Sequence, residues 1–163
     1  MENKFNMTKE DNIFFAKRKL IDKSANLEGI EVTFADTYSF MNNVNTGNIS
    51  IDDMLKLKGL KDAWEYVLNT IDEELTIDYI KKIHFQVCKG QNIFPLGDFR
   101  DKGVGVTGTS WRPKLPIECN YEKELKDIMS ISNDLDRCIS LFCWIQRSQM
   151  FLDGNKRVAN LVA

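Results

Sequence analysis

The chain has 163 residues, a length that suits one domain and is sufficient for a sizeable hydrophobic core. With 22 basic and 24 acidic residues, the formal net charge is −2, which argues against binding nucleic acid through a broad basic surface. One histidine and four cysteines without a Cys-x-x-Cys pair argue against a zinc site, and the lack of long apolar runs argues against a membrane span.

Apolar residues recur at helical spacing along the first half of the chain, which predicts four helices. The first helix begins after Thr8 and ends near Gly29, and the second covers residues 34–41. Ser50 and Thr76 have the character of N-cap residues, and they start the third and fourth helices.

The pattern changes in the second half of the chain. Residues 91–116 are rich in glycine and proline and include the alternating run 104–107, which predicts a loop followed by a small β-hairpin. Helical spacing resumes after residue 121, and the polar run 132–134 provides N-caps for a further helix. That helix leads into a turn and a last helix, and we expect the sequence to be cut short within that last helix. The predicted fold is therefore mainly α with one β-hairpin.

The turn at 151–157 has the composition of a polyphosphate site. One carboxylate, one glycine, one amide and two cations follow each other from Asp153 to Arg157. N–H groups at a helix N-terminus point at anions, and glycine lets the backbone approach a phosphate closely. Asp153 can hold a divalent cation, and the Arg157 guanidinium offers donors to phosphoryl oxygens. The alternative is a simple corner between two helices, because Asp-Gly and Gly-Asn pairs are common turn formers.

The turn also resembles the motif of the Fic domain family, His-x-Phe-x-Asp/Glu-Gly-Asn-Gly/Lys-Arg, often followed by x-x-Arg. Residues 149–160 read Gln-Met-Phe-Leu-Asp-Gly-Asn-Lys-Arg-Val-Ala-Asn. The match is complete from Phe151 to Arg157, apart from the free position between Phe and Asp. The motif is specific, so it carries most of the resemblance.

Two further segments fit the same family. Residues 97–111 resemble its Gly-x-Tyr/Phe-Arg sequence followed by a β-hairpin flap, and residues 24–29 resemble the inhibitory motif Ser/Thr-x-x-x-Glu-Gly/Asn. The resemblance implies a Fic-type helical bundle with one β-hairpin flap. It also implies an N-terminal inhibitory helix at 1–30, packed on a Fic-like domain at 31–163, as in the subclass whose inhibitory helix is N-terminal.

Members of this family mostly transfer AMP from ATP to a protein hydroxyl, and a Doc-type branch transfers the γ-phosphoryl group instead. The resemblance implies that Asp153 binds Mg²⁺ and that the anion hole consists of Gly154, Asn155, Lys156 and Arg157. It implies that the inhibitory residues are Ser24 and Glu28, with Glu28 in the place of the γ-phosphate; the alternative for these two residues is a helix C-terminal turn with a solvated carboxylate. The flap that docks an extended target segment by strand addition would comprise Val104, Gly105, Val106, Thr107, Gly108 and Thr109.

The sequence departs from the family motif at three positions. Gln149 stands where the family has the histidine that takes the proton from the target hydroxyl, and an amide has no basic site near neutral pH. Lys156 stands where AMP transferases usually carry glycine, and a lysine there is shared with the Doc-type branch. Asn160 replaces the second arginine, the family's partner for the inhibitory glutamate, so Glu28 loses that partner, and Lys156 and Arg157 are the candidates to replace it. His84 lies on a different helix, and we interpret it as a packed or surface residue.

Three hypotheses follow. The first is an adenylyltransferase that uses ATP and Mg²⁺ and is impaired by Gln149, with phosphoryl transfer as its variant. The second is a catalytically inactive module that binds nucleotide or a partner, and the third is a helical protein with a chance turn. The expected partners are ATP and a target protein with a Ser, Thr or Tyr hydroxyl, with self-modification and a homo-oligomer left open. We expect no nucleic-acid or membrane partner and, because the polar N-terminus lacks a signal peptide, a cytoplasmic location.

Overall fold

The computed structural model describes residues 9–30, 32–42, 44 and 49–163, except for the side chains at 9–16, 34 and 41. Seven α-helices lie within these ranges, and no β-strand does. They are α1 (Lys9–Leu27), α2 (Phe34–Met41), α3 (Ile51–Asn69), α4 (Ile77–Cys88), α5 (Tyr121–Met129), α6 (Asp134–Ser148) and α7 (Asn155–Val162). The mainly helical prediction is confirmed. None of the described helices is both long and apolar enough to cross a membrane.

The helix starts follow the caps that the sequence predicts. The side chains of Ser50, Thr76 and Asn133 each accept a hydrogen bond from the backbone N–H three residues later, at the starts of α3, α4 and α6. Each such cap stabilises its helix by about 1 kcal/mol, because it satisfies a donor that the first turn leaves unpaired. Thr8, the predicted cap of α1, lies outside the described residues.

Helix α1 ends in a Schellman motif. Gly29 has a φ of 73°, the Ile30 N–H donates to the Ala25 carbonyl at 3.0 Å, and the Gly29 N–H donates to the Asn26 carbonyl at 3.0 Å. Glycine is suited to this left-handed position, as the predicted helix end requires. The motif fixes Glu28 at the end of α1, where the chain reverses direction.

The core is one cluster of buried apolar side chains to which α1, α3, α4, α6 and α7 all contribute. Helix α1 packs on α3, and Ile21 and Ala25 on its inner face are fully buried. Helices α3 and α4 pack together at the centre, and α7 lies against both α4 and α6. The turn between α6 and α7 is therefore set directly over α4.

At Gly59, helix α3 lies directly against the backbone of α4. An alanine Cβ at position 59 would overlap the carbonyl oxygen of Val87 and lie 2.9 Å from its carbonyl carbon. Gly59→Ala should therefore lower the free energy of unfolding by about 2–3 kcal/mol, although alanine by itself favours a helix by about 1 kcal/mol. Urea denaturation measures the change. Gly103→Ala is the matched control, because nothing lies within 4 Å of its added Cβ, and an equal loss in both variants would contradict this packing.

The predicted β-hairpin flap is wrong. Residues 104–109 have no strand, although a turn occurs at the expected place: the Thr109 N–H donates to the Val106 carbonyl at 3.1 Å. An isolated two-stranded ribbon is marginal in water, and the alternating run here is only about four residues long. The segment is anchored just after the turn instead. The Trp111 indole N–H donates to the Arg147 carbonyl at 3.1 Å, and the Arg147 guanidinium lies over the Trp111 ring.

Candidate functional site

The connection between α6 and α7 contains two residues in the left-handed region. Gln149 ends α6 with φ 46° and ψ 55°, and Gly154 precedes α7 with φ 77°. A Cβ on Gly154 would lie 2.7 Å from the Cys88 Sγ, so glycine is required there for space as well as for conformation. Burial raises the pKa of the Cys88 thiol to about 11, so the thiol stays protonated and unreactive beneath the turn.

Asn155 closes the turn with its side-chain amide. Its Oδ1 accepts from the Phe151 N–H at 3.0 Å, and its Nδ2 donates to the Phe151 carbonyl at 2.8 Å. The same Nδ2 donates to the Gln149 Oε1 at 3.2 Å. The side chain is buried and these hydrogen bonds all lie within the turn, so Asn155 fixes the conformation of the turn.

Gln149 is occupied at both ends of its amide. Its Oε1 accepts from Asn155, and its Nε2 donates to the Gln146 carbonyl at 2.7 Å. The amide therefore stabilises the end of α6, and a hydroxyl substrate could bind to it only through the second lone pair of Oε1 or the second N–H of Nε2.

Arg157 lies beneath the mouth of the turn with only 1% of its side chain exposed. Its terminal nitrogens donate to the Gln91 Oε1 at 3.0 Å and to the Asp153 Oδ2 at 3.2 Å. The Nε lies 3.4 Å from the Glu28 Oε2 but has no hydrogen-bond partner among the described residues. A buried guanidinium N–H without an acceptor is costly, so this atom can accommodate an anionic oxygen.

Glu28 faces the two cations of the turn. Its carboxylate lies 3.4 Å from Arg157 and 3.5 Å from the Lys156 Nζ, and 14% of its side chain is exposed. The Lys156 Nζ also donates to the carbonyl of Leu27 at the end of α1. The carboxylate is thus paired rather than solvated, with Lys156 and Arg157 as its two cationic neighbours.

Ser24 points elsewhere. Its hydroxyl oxygen accepts from the Trp64 indole N–H of α3 at 3.2 Å, and the side chain is buried. The two predicted inhibitory residues therefore contact different elements: Ser24 holds α1 on α3, and Glu28 contacts the turn.

Asp153 is the exposed carboxylate of the turn, with 62% of its side chain open to solvent. Its Oδ1 accepts from the Gly154 N–H at 2.6 Å, and its Oδ2 accepts from Arg157. Mg²⁺ is usually bound through one or two carboxylates together with nucleotide phosphates, so a single exposed carboxylate suits it. The Nε of Arg157, which has the Glu28 carboxylate at 3.4 Å but no hydrogen-bond acceptor among the described residues, suits a phosphate oxygen, and the residues present therefore fit ATP with Mg²⁺.

Two residues outside the turn hold its backbone, and sequence reasoning assigned neither of them this position. Arg100 is buried; its Nε donates to the Gln149 carbonyl at 2.6 Å, and its backbone N–H donates to the Met150 carbonyl at 3.0 Å. His84 is fully buried and contacts the Asp153 carbonyl. The Gly-x-Phe-Arg sequence at 97–100 is the signal that pointed to Arg100, whereas only the packing of α4 reveals His84.

Comparison with known proteins decides the family. A model of the Fic/DOC family matches residues 74–163, which is more than half of the chain and includes the whole turn. The chain belongs to the Fic/DOC family. The hypothesis of a chance turn in an unrelated helical protein is therefore wrong, and the Fic-type fold is confirmed.

Among solved structures, Fic-1 (aa134 - 508) from C. elegans matches this Fic/DOC chain with a TM-score of 0.77 and 16% sequence identity. The match covers 96% of this chain and 51% of that one, so the chain spans about half the length of the matched structure. At this identity the likeness shows the fold alone. Among curated proteins, none matches the chain.

Proposed function

We propose that this chain is a Fic-type adenylyltransferase that takes AMP from ATP and adds it to a Ser, Thr or Tyr hydroxyl of a target protein. Glu28 inhibits it, and Gln149 slows it. The observation that carries the proposal is the buried Arg157, whose Nε lacks a hydrogen-bond acceptor at the mouth of a glycine turn. Guanidinium groups bind phosphoryl oxygens strongly, because their donors match the spacing of those oxygens.

In the proposed reaction, the target hydroxyl oxygen attacks the α-phosphorus of ATP. The bond from that phosphorus to the β-phosphate bridging oxygen breaks, pyrophosphate leaves, and the hydroxyl proton must pass to a base. Arg157 and the N–H groups at the start of α7 would hold the phosphates, and Asp153 would hold Mg²⁺, which would neutralise phosphate charge when bound. Gln149 cannot accept the proton, which would pass to solvent water instead, so positioning and electrostatics alone would accelerate the reaction in this chain.

Glu28 supports an inhibitory contact at the same site. A phosphate oxygen bound to the Arg157 Nε would lie where the Glu28 carboxylate now lies, and two anions cannot share that place without repulsion. The proposed division into an inhibitory segment at 1–30 and a Fic-like domain at 31–163 follows from this contact between the end of α1 and the turn.

Glu28→Gln should strengthen the binding of ATP with Mg²⁺ by about tenfold, because the neutral amide no longer competes for Arg157 and Lys156. Isothermal titration calorimetry at physiological salt measures this. Glu65→Gln is a matched control, since it removes the same charge from a carboxylate that pairs with Lys17 on α1 instead. Asp153→Ala in the Glu28→Gln background should abolish the dependence of binding on Mg²⁺. Equal affinity with and without Glu28 would contradict the inhibitory contact.

Specific residues favour two alternatives. Lys156 adds a second cation to the turn, which favours a Doc-type transfer of the γ-phosphoryl group. The engaged amide of Gln149 favours a catalytically inactive module that binds nucleotide or a partner. ATP labelled separately at the α- and γ-phosphates distinguishes the three functions: α-label on protein indicates AMP transfer, γ-label alone indicates phosphoryl transfer, and binding without label indicates the inactive module.

The proposed docking site for the target is the exposed segment 104–109. Its side chains are mostly open to solvent, and Trp111 fixes its C-terminal end on α6 just before Gln149. A target chain lying along this segment would bring its hydroxyl to the start of the turn. Strand addition would use the residues before the turn at 106–109, because the affinity of this binding mode comes from main-chain hydrogen bonds.

A further inference from the structure

His84 projects from α4 into the floor of the turn between α6 and α7. Its Nδ1 lies 3.1 Å from the Gly97 backbone nitrogen, and its Nε2 lies 3.2 Å from the Asp153 carbonyl oxygen. A backbone N–H can only donate, so Nδ1 is unprotonated and accepts. The neutral ring then carries its proton on Nε2, where it can donate to the Asp153 carbonyl.

The ring has little freedom to leave this position. It is fully buried and stacks on Phe151, with ring centroids 3.9 Å apart and an interplanar angle of 4°. Gly97 holds it from the opposite nitrogen, and Gly154 lies beside it, where an added Cβ would stand 3.5 Å from the His84 Cδ2. An aromatic ring with one nitrogen accepting and the other donating is a more specific fit than apolar packing requires.

The contact with the carbonyl sets the direction of one peptide group. In a trans peptide the C=O and the following N–H point in opposite directions, so a carbonyl held on His84 turns the Gly154 N–H towards the mouth of the turn. There the N–H now meets the Asp153 Oδ1 at 2.6 Å, on the side where that carboxylate is exposed. A flipped peptide would present a carbonyl oxygen to an anion instead.

We propose that His84 is a positioning residue, which holds the Asp153 carbonyl inward so that the Gly154 N–H faces the phosphates of the nucleotide. The inference rests on the proposed nucleotide-binding function for its effect on affinity, but its structural part is independent of that function. Nothing in the reaction passes through His84, because the ring is buried beneath the turn and does not face the substrate side.

The structural part is tested first, by ¹⁵N NMR on the whole chain at pH 7. His84 is the only histidine, so the imidazole signals need no assignment by mutation. We expect the Nε2–H tautomer, with a slowly exchanging Nε2 proton and a scalar coupling to the Asp153 carbonyl carbon. A protonated Nδ1, or a rapidly exchanging Nε2 proton, would overturn the proposal whether or not the protein binds ATP.

The effect on affinity is tested with two variants in the Glu28→Gln background. Glutamine at position 84 can place an amide N–H near the Asp153 carbonyl, whereas phenylalanine keeps the stack on Phe151 and removes the donor. We expect His84→Phe to weaken ATP–Mg²⁺ binding about tenfold and His84→Gln to retain most of it, measured well below both melting temperatures. Equal affinity of His84→Phe and its parent would overturn the proposal. If the parent binds no ATP, the proposed function fails, and the NMR result still decides the position of the ring.

Discussion

Gln149→His combined with Glu28→Gln is expected to raise protein labelling from ATP by about 10²–10⁴-fold over Glu28→Gln alone, the usual contribution of a general base. The backbone favours this exchange. Position 149 has a φ of 46°, and histidine adopts the left-handed region more readily than most residues. The ring would lie at the start of the turn, beside the proposed phosphate site and next to the anchored end of segment 104–109.

The measurement is the transfer of label from α-labelled and γ-labelled ATP to protein, with autolabelling and added protein scored separately. Gln149→Asn in the same Glu28→Gln background is the matched control, because asparagine also tolerates the left-handed region but cannot accept a proton. If nucleotide binds normally and the histidine variant labels no better than the asparagine variant, a missing base is not what limits this protein.

Stability should fall with decreasing pH between about 6.5 and 4, and His84 is the reason. Burial lowers the pKa of His84 from 6.5 to about 4, with a smaller opposing effect from its hydrogen bond to Asp153. Below pH 6.5 the unfolded chain takes up a proton at this residue while the native chain does not. The free energy of unfolding is therefore highest above pH 6.5, and it falls by about 3 kcal/mol between pH 6.5 and pH 4.

Urea denaturation at several pH values, without nucleotide or metal, measures this loss. The chain has no other histidine to contribute in this range. The pKa values of Asp36, Asp53 and Asp98 are lowered by hydrogen bonds, so their contributions disappear only below about pH 3.8. His84→Gln should be less stable at pH 7 and should have a flatter profile down to pH 4.5. An unchanged slope in that variant would show that the pH dependence has another origin.

Local interactions explain why the sequence predicted the helices well. A cap such as Ser50 or Thr76 acts on a backbone N–H three residues away, and the left-handed glycine at position 29 acts on carbonyls a few residues before it. These signals need no knowledge of the tertiary structure. The turn from Asp153 to Arg157 is readable for the same reason, since its chemistry is contained in adjacent residues.

The flap shows the limit of that reasoning. An alternating run at 104–107 is compatible with a strand, but a strand forms only when a partner pairs with it. Trp111 draws the following chain onto α6 instead, through a contact that lies 36 residues away along the sequence. The tertiary contact outweighed a weak local preference.

By itself, then, the sequence determined the helical elements, the composition of the turn and the loss of a basic group at Gln149. The tertiary structure decided which groups face that turn. Glu28 meets Arg157 because α1 packs on α3 and ends near the start of α7. His84 meets the Asp153 carbonyl, 69 residues later in the chain, because α4 lies beneath the turn that leads into α7. The physical reason is range: caps and turns depend on neighbours in the chain, whereas the surroundings of a buried charge or ring depend on how distant helices pack.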